Sequence, residues 1–205
     1  MKKQPALEIR RILTAYQKGS SAQEVAKEYN TSLHRVYRLL RQHNLQRRSS
    51  SESNAIQFQR KKPSFRLVKP LNQKGKELKI AALMLYWGEG SQWSGETIVD
   101  FANSNSSMVR VFLKFLREVC GVDEKRLRGY LYCYSNQNPK KLISYWSSLT
   151  KIPSKQFTKP YIRKDYHPTK ENKMQYGVVH IRYYDKKLLL LIKQWINDFV
   201  DAEHG

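Results

Sequence analysis

The segment "LYWGEGS", Leu85 to Ser91, places a single carboxylate, Glu89, between two glycines at the end of an apolar run. The run "ELKIAALM" before it is typical of a buried helix, and the glycines predict that this helix ends there. A carboxylate at a helix C-terminus faces the negative end of the helix dipole, which is unfavourable unless a cation is bound. A Mg²⁺ ion at Glu89 would offset that cost and orient water against a phosphate. The alternative is a solvated loop residue beside a glycine cap.

The chain is strongly basic, which indicates the kind of partner it binds. Its 205 residues include 38 Lys and Arg against 17 Asp and Glu, a formal net charge of +21. Such an excess of cations attracts polyanions, because each neutralised phosphate releases condensed counterions. With 40% hydrophobic residues the chain also has enough apolar side chains for a core. Nucleic acid is therefore the expected partner.

Membranes and zinc are not expected as partners. No apolar run approaches the roughly 20 residues needed to span a bilayer. The start "MKKQPALEIRR" lacks the apolar segment of a signal peptide, so we expect a cytoplasmic, nucleoid-associated protein. Cys120, Cys133 and the scattered histidines lack the spacing of zinc ligands, and we interpret both cysteines as reduced core residues.

Composition divides the chain into three parts. Residues 1–43 form a small all-helical unit, 44–76 a basic, Ser-rich linker, and 77–205 a larger α+β unit. The linker contains "QRRSSSES" and "QRKKPSFRLVKPLNQKGK", whose Pro, Gly and polar residues favour an irregular chain. We expect it to be flexible or to lie along a phosphate backbone. For its Ser-rich half, a solubilising tether that makes no contacts is an equally good alternative.

The first unit has the pattern of three short helices. Its apolar residues recur at helical spacing, Ser21 with Glu24 predicts a capping box for the second helix, and Ser32 is an N-cap for the third. Asn30 lies at the turn between them, where a residue tolerant of positive φ is needed. The stretch "SAQEVAKEYNTSLHRVYRLLRQ" resembles the helix-turn-helix of the resolvase/invertase type.

That resemblance implies that the third helix docks in the major groove of DNA. It would turn Ser32, His34, Arg35 and Arg38 towards the base edges, with Arg41 nearer the phosphates. Arginine suits this role because its guanidinium can pair with two acceptors on guanine. The alternative is a three-helix bundle whose basic face is solvated or binds protein.

The second unit alternates between helical and strand periods, which predicts an α+β domain with a mostly antiparallel sheet. Helices are expected at 78–90, 107–120 and 186–201. Strands are expected in "TIVDF", at 127–135 and at 176–184. A further helix and strand are expected within 139–163.

The stretch "AALMLYWGEG" resembles the LAGLIDADG motif of homing endonucleases, with Glu89 on the acidic position and Gly90 on the terminal glycine. The resemblance extends over about residues 78–200 through the order of helices and strands. It implies that two such helices pack side by side and that their carboxylates share divalent metals at the DNA backbone. Because only one motif is present, it implies a homodimer with Mg²⁺ at two Glu89 side chains. Lys187 falls where the family often has a basic residue.

The predicted sheet offers a basic and aromatic face that suits DNA. Strand alternation puts Arg128, Tyr130 and Tyr132 of one strand, and His180 and Arg182 of another, on the side away from the helices. Two alternatives stay open for the tyrosines. They could stack on unpaired bases in an RNA-binding module, or they could only pack across strands.

Two functions fit best. One is a sequence-specific DNA-binding protein, such as a regulator, whose LAGLIDADG-like domain grips DNA; the other is a Mg²⁺-dependent homing-type endonuclease acting as a homodimer. Met84 occupies a position where the family has a small residue, which hinders close approach of two motif helices. We therefore favour binding without efficient cutting, since a fold does not imply its usual function.

Overall fold

A computed structural model describes residues 6–164 and 174–204. The chain divides into two compact units between Lys62 and Pro63. Within the described residues it is α+β, with eight α-helices and one four-stranded sheet, which confirms the predicted class. A search of those same residues finds no helix of the length and hydrophobicity that crossing a membrane requires.

The first unit contains the three predicted helices and a fourth. These are α1 (Ala6–Gln17), α2 (Ala22–Glu28), α3 (Leu33–Gln42) and α4 (Ser50–Arg60). Its small core joins α1, α2 and α3 through buried side chains that include Ile12, Val25, Val36 and Leu40.

The predicted caps of the first unit are confirmed. Ser21 and Glu24 form a reciprocal capping box at the start of α2, with hydrogen bonds of 2.7 and 3.1 Å. Ser32 accepts a hydrogen bond from the Arg35 backbone N–H at the start of α3. Asn30 has φ 45° at the turn, the conformation for which Asn is suited. Local chemistry therefore sets the α2–α3 turn.

The structure differs from the predicted linker at 44–76. Residues 50–60 form α4, and the chain from residue 63 belongs to the second unit. Ser49 and Glu52 form a capping box at the start of α4. Gln57 of α4 donates to Glu24 at 3.2 Å, and Arg60 donates to the Gly19 carbonyl at 3.0 Å. The Ser-rich composition was misleading because one of these serines caps a helix.

The second unit packs four helices against a sheet. The helices are α5 (Gln73–Glu89), α6 (Ser106–Glu118), α7 (Pro139–Thr150) and α8 (Lys186–His204). The strands are β1 (Val99–Asn103), β2 (Leu127–Tyr134), β3 (Tyr161–Arg163) and β4 (Val178–Tyr183). The helix and strand predicted within 139–163 correspond to α7 and β3.

The sheet has the strand order β1-β4-β2-β3. The pairs β1–β4 and β2–β4 are antiparallel, and β2–β3 is parallel, so the mostly antiparallel sheet is confirmed. The parallel pair follows from α7, which brings the chain back beside β2, so that Phe157 bridges to Gly129 before Tyr161 pairs with Tyr132. Alternate residues of β1, β2 and β4 face the helices and are buried, among them Phe101, Leu131 and Ile181. Cys120 and Cys133 are free and buried, as predicted.

Helix α5 begins before the predicted residue 78. Asn72 is its N-cap and accepts a hydrogen bond from the Gly75 N–H at 2.8 Å. Gly75 therefore lies in the first turn of the helix and contributes to the cap.

The start of the second unit is attached to α6 and β4. Arg66 N–H donates to the Gly121 carbonyl and Val68 N–H to the Val119 carbonyl, each at 3.0 Å. Ser64 donates its N–H and its hydroxyl to the Asp185 carboxylate, both at 2.7 Å. Asp185 also accepts from the Lys187 N–H at the start of α8. Burial opposes ionisation of Asp185, but these hydrogen bonds hold the pKa of the carboxyl below its ordinary value.

Candidate nucleic-acid interface

One candidate surface lies on α3 in the first unit. Ser32, His34, Arg38 and Arg41 are exposed, while the apolar residues on the opposite side of the helix close the core. Arg35, which the helix-turn-helix resemblance also turns towards DNA, is half-buried. The exposed side of α3 therefore carries three of the four basic residues that were predicted there.

The segment after α3 adds cations that the sequence analysis assigned to the linker. The Arg47 guanidinium lies 4.3 Å from the centroid of the Tyr37 ring of α3. The Arg48 guanidinium lies 4.0 Å from the Tyr16 centroid and donates to the Ser20 carbonyl at 3.2 Å. Such cation–π contacts are worth about 0.5–1 kcal/mol at exposed sites, so they fix both arginines beside the helical core.

A second candidate surface is the open face of the sheet, the side turned away from the helices. The structure brings the predicted residues together there, because β2 and β4 pair directly. Arg128 lies opposite Arg182, and Tyr130 lies opposite His180. Sequence alternation alone predicted which residues share this face, and the pairing determines which of them are neighbours.

The aromatic rings on the open face form a continuous series. The ring centroids are 4.9 Å apart for Tyr130 and Tyr132, 4.5 Å for Tyr132 and His180, and 5.1 Å for Tyr132 and Tyr161. The Arg182 guanidinium lies 4.2 Å from the Tyr130 centroid. Because each ring touches the next, the face is a packed surface of aromatic and cationic groups, and Tyr161 is the exposed member at its edge.

Arg128 has a different environment from that expected of a DNA contact. Its Nη1 donates to the Lys125 carbonyl at 2.6 Å and to the Leu127 carbonyl at 2.8 Å. The guanidinium is therefore tied to the backbone where β2 begins. Its charge still contributes to the face, but part of its donor capacity is already used.

Asp100 of β1 is a functional candidate that the sequence analysis missed. Its carboxylate Oδ1 lies 2.9 Å from His180 Nδ1, and its Oδ2 accepts from Arg182 Nε at 2.8 Å. Burial opposes ionisation, but the hydrogen bonds and charges of His180 and Arg182 hold the pKa of the Asp100 carboxyl below its ordinary value. The clue in the sequence was an acidic residue inside the otherwise apolar strand "TIVDF". Its partners could not be identified from that stretch, because they lie on another strand that pairs with it.

Glu89 is the last residue of α5 and is exposed. Within the described residues its side chain forms no hydrogen bond or ion pair, so the carboxylate is not bonded to Lys187, which lies in the first turn of α8. Gly90 follows where a Cβ would lie 2.5 Å from the Tyr86 carbonyl oxygen, so only glycine fits without movement. The predicted helix end at Glu89 is confirmed, while the expected basic neighbour is not bonded to it.

The donor chemistry of Glu89 fits Mg²⁺, which is commonly bound through one or two carboxylates together with water and phosphate oxygens. Among the residues that the structure describes, no group of three His, Cys, Asp or Glu side chains is arranged to hold a metal ion. One copy of the chain contributes one Glu89, so a site with two Glu89 carboxylates would need a second copy.

Helix α5 also carries apolar side chains outside the core. Ile80 is 48% exposed and Trp87 is 50% exposed, on the same helix that ends at Glu89. Met84, between them, is partly buried against the core. These three residues, together called the α5 stripe, form a partly exposed apolar strip.

No protein-family model matches the sequence, and no curated protein or solved structure matches it.

Proposed function

We propose that the protein is a sequence-specific double-stranded DNA-binding protein with the role of a regulator. In this proposal α2 and α3 are a helix-turn-helix, and the second unit is a LAGLIDADG-like domain whose open sheet face holds the DNA backbone. The observation that carries the proposal is the set of exposed cations on α3, opposite an apolar side that closes a small core. The proposed location is the cytoplasm, in association with the nucleoid.

In this proposal α3 and the open sheet face have different roles in DNA binding. Side chains of α3 have the length and donors to reach base edges in the major groove, where each base pair presents a distinct pattern. Contacts to phosphates carry no sequence information and instead fix orientation and supply affinity. The packed rings around Arg182 and His180 suit phosphate contacts, because the side chains are already immobilised before DNA arrives.

Arg38→Ala is expected to relax the sequence preference at one base position and to weaken binding by about 1–3 kcal/mol. The reason is the loss of a guanidinium that can pair with two acceptors on guanine. Selection from a random duplex pool, followed by sequencing, measures the preference. Arg10→Ala, an exposed arginine on α1, removes the same charge outside α3 and serves as the control. An unaltered preference in Arg38→Ala would contradict the docking of α3.

The second candidate function is a Mg²⁺-dependent DNA endonuclease acting as a homodimer. The observation that favours it is the α5 stripe, which lies on the same helix that ends at the exposed carboxylate of Glu89. A second copy packed on this stripe would cover apolar surface and bring two Glu89 side chains near each other. When bound there, Mg²⁺ would polarise a phosphate and activate water. The partly buried Met84 separates the helices, so we keep binding without efficient cutting as the first proposal.

Glu89→Gln separates the two functions, because it keeps the size of the side chain and removes the charge that would hold the metal. A DNA-binding protein is expected to bind equally well before and after the change, with no cutting in either form. An endonuclease is expected to lose Mg²⁺-dependent cutting while keeping its affinity. The measurement is binding and cleavage of selected duplex with and without Mg²⁺. Glu77→Gln, at the other end of α5, is the matched control.

A further inference from the structure

Asp100 is a carboxylate on the face that we propose to contact phosphates. By Coulomb repulsion alone, a negative charge there weakens the binding of a polyanion. The side chain is 11% exposed, and those of its partners His180 and Arg182 are 14% and 21% exposed. Because this carboxylate is buried and bonded to two side chains of the face, we expect it to do more than repel DNA.

Asp100 fixes two donors in one arrangement. It occupies Arg182 Nε and His180 Nδ1, which leaves the terminal N–H groups of the guanidinium for a ligand, and also the Nε2 of His180 when the imidazole carries a proton on both nitrogens. The Tyr130 ring stacks against the guanidinium at 4.2 Å and restricts its plane. The two donors lie two residues apart on β4 and point to the same side of the sheet.

We propose that Asp100 is a positioning residue that holds Arg182 and His180 as a preformed clamp for a backbone phosphate of DNA. The inference rests on the proposed function of the open face. A phosphate fits because the guanidinium fork matches its oxygens and forms strong, charge-assisted hydrogen bonds. Ordering these side chains in advance removes part of the entropy cost of immobilising them from the binding step.

The charge state of Asp100 supports the arrangement. A low pKa keeps the carboxyl ionised at neutral pH, so it accepts hydrogen bonds from both partners. Asparagine at this position would offer one acceptor oxygen, and its NH₂ group would face a second donor. Only one of the two side chains would then stay in place.

Asp100→Asn in the full-length protein tests the proposal, because repulsion and positioning by Asp100 predict opposite changes in DNA affinity. Loss of the clamp is expected to weaken binding to a random-sequence duplex at least about 10-fold, although a negative charge is removed. The slope of log affinity against log salt concentration is expected to fall by about 0.9, the value for one phosphate contact. Asp201→Asn makes the same charge change at an exposed position on α8 and is expected to leave both values unchanged.

A double-mutant cycle shows whether Asp100 acts through Arg182. Arg182→Ala is expected to cost less affinity in the Asp100→Asn background than in the wild type, because the clamp is already loosened. Arg182→Lys provides the test if Asp100→Asn does not fold. It keeps the positive charge, but one ammonium group cannot bond Asp100 and also present a fork to phosphate, so the same loss of slope is expected.

Three outcomes would overturn the inference. Binding by Asp100→Asn that equals or exceeds wild type, with an unchanged slope, shows that the carboxylate only repels DNA. Weaker binding with an unchanged slope and a lower melting temperature shows a structural role alone. If the wild type does not bind DNA at all, the proposed function fails and this inference fails with it. In the other two outcomes the wild type binds DNA and only the inference fails.

Discussion

Raising the salt concentration from 50 to 200 mM is expected to weaken the binding of this protein to duplex DNA by about 10³-fold or more. The formal charge is +21, cations are exposed on α3, and the open sheet face carries the half-buried Arg128 and Arg182. Each phosphate contact releases condensed counterions, and six to ten contacts account for roughly this loss. No other single change of conditions is expected to alter affinity so much.

Fluorescence anisotropy of a labelled duplex at several salt concentrations measures this effect. A series in which a neutral osmolyte replaces the added salt is the control, since it changes osmolality without supplying counterions. Affinity that changes less than about tenfold across the salt range would indicate few phosphate contacts. The basic surface would then be only a solvated face.

Gly121→Ala is expected to destabilise the second unit by roughly 2–5 kcal/mol. Gly121 has φ +57°, and a Cβ there would lie 2.1 Å from the Arg66 carbonyl oxygen. The obstacle is backbone, and the Arg66 N–H is itself bonded to the Gly121 carbonyl at 3.0 Å. The chain must therefore separate residues 64–69 from the end of α6, or strain both.

Urea unfolding followed by tryptophan fluorescence measures the change in the free energy of unfolding. All four tryptophans, Trp87, Trp93, Trp146 and Trp195, lie in the second unit, so the signal reports on that unit. Gly88→Ala is the matched control. It lies in α5 with nothing within 4 Å of its added Cβ, so it is expected to be neutral or to stabilise by up to about 1 kcal/mol. Equal stability of the two variants would contradict the close approach at Gly121.

Features set by neighbouring residues were predictable from the sequence. The caps at Ser21 and Ser32, the positive φ of Asn30 and the end of α5 at Glu89 all follow from side chains within a few positions. Strand alternation likewise identified the residues that β2 and β4 contribute to the open face. These predictions succeeded because helix caps and the period of a strand are local properties.

Features set by distant residues were not predictable in the same way. Helix α4 has no buried side chain, so its sequence shows only a weak apolar pattern and was interpreted as part of a linker. Asp100 meets residues about 80 positions away, through the register of β1 and β4. The position of Lys187 relative to Glu89 depends likewise on the packing of α8. Register and packing join distant residues, and a single sequence does not specify them.

The most direct test of sequence-specific DNA binding is selection from a random duplex pool by the purified full-length protein in the presence of Mg²⁺. Bound molecules and cut molecules are recovered and sequenced separately. We predict that the bound fraction converges on a preferred sequence and that its molecules are intact. Cut molecules with a common sequence at the break would instead establish the endonuclease. A bound fraction indistinguishable from the input pool would contradict sequence-specific recognition by α3.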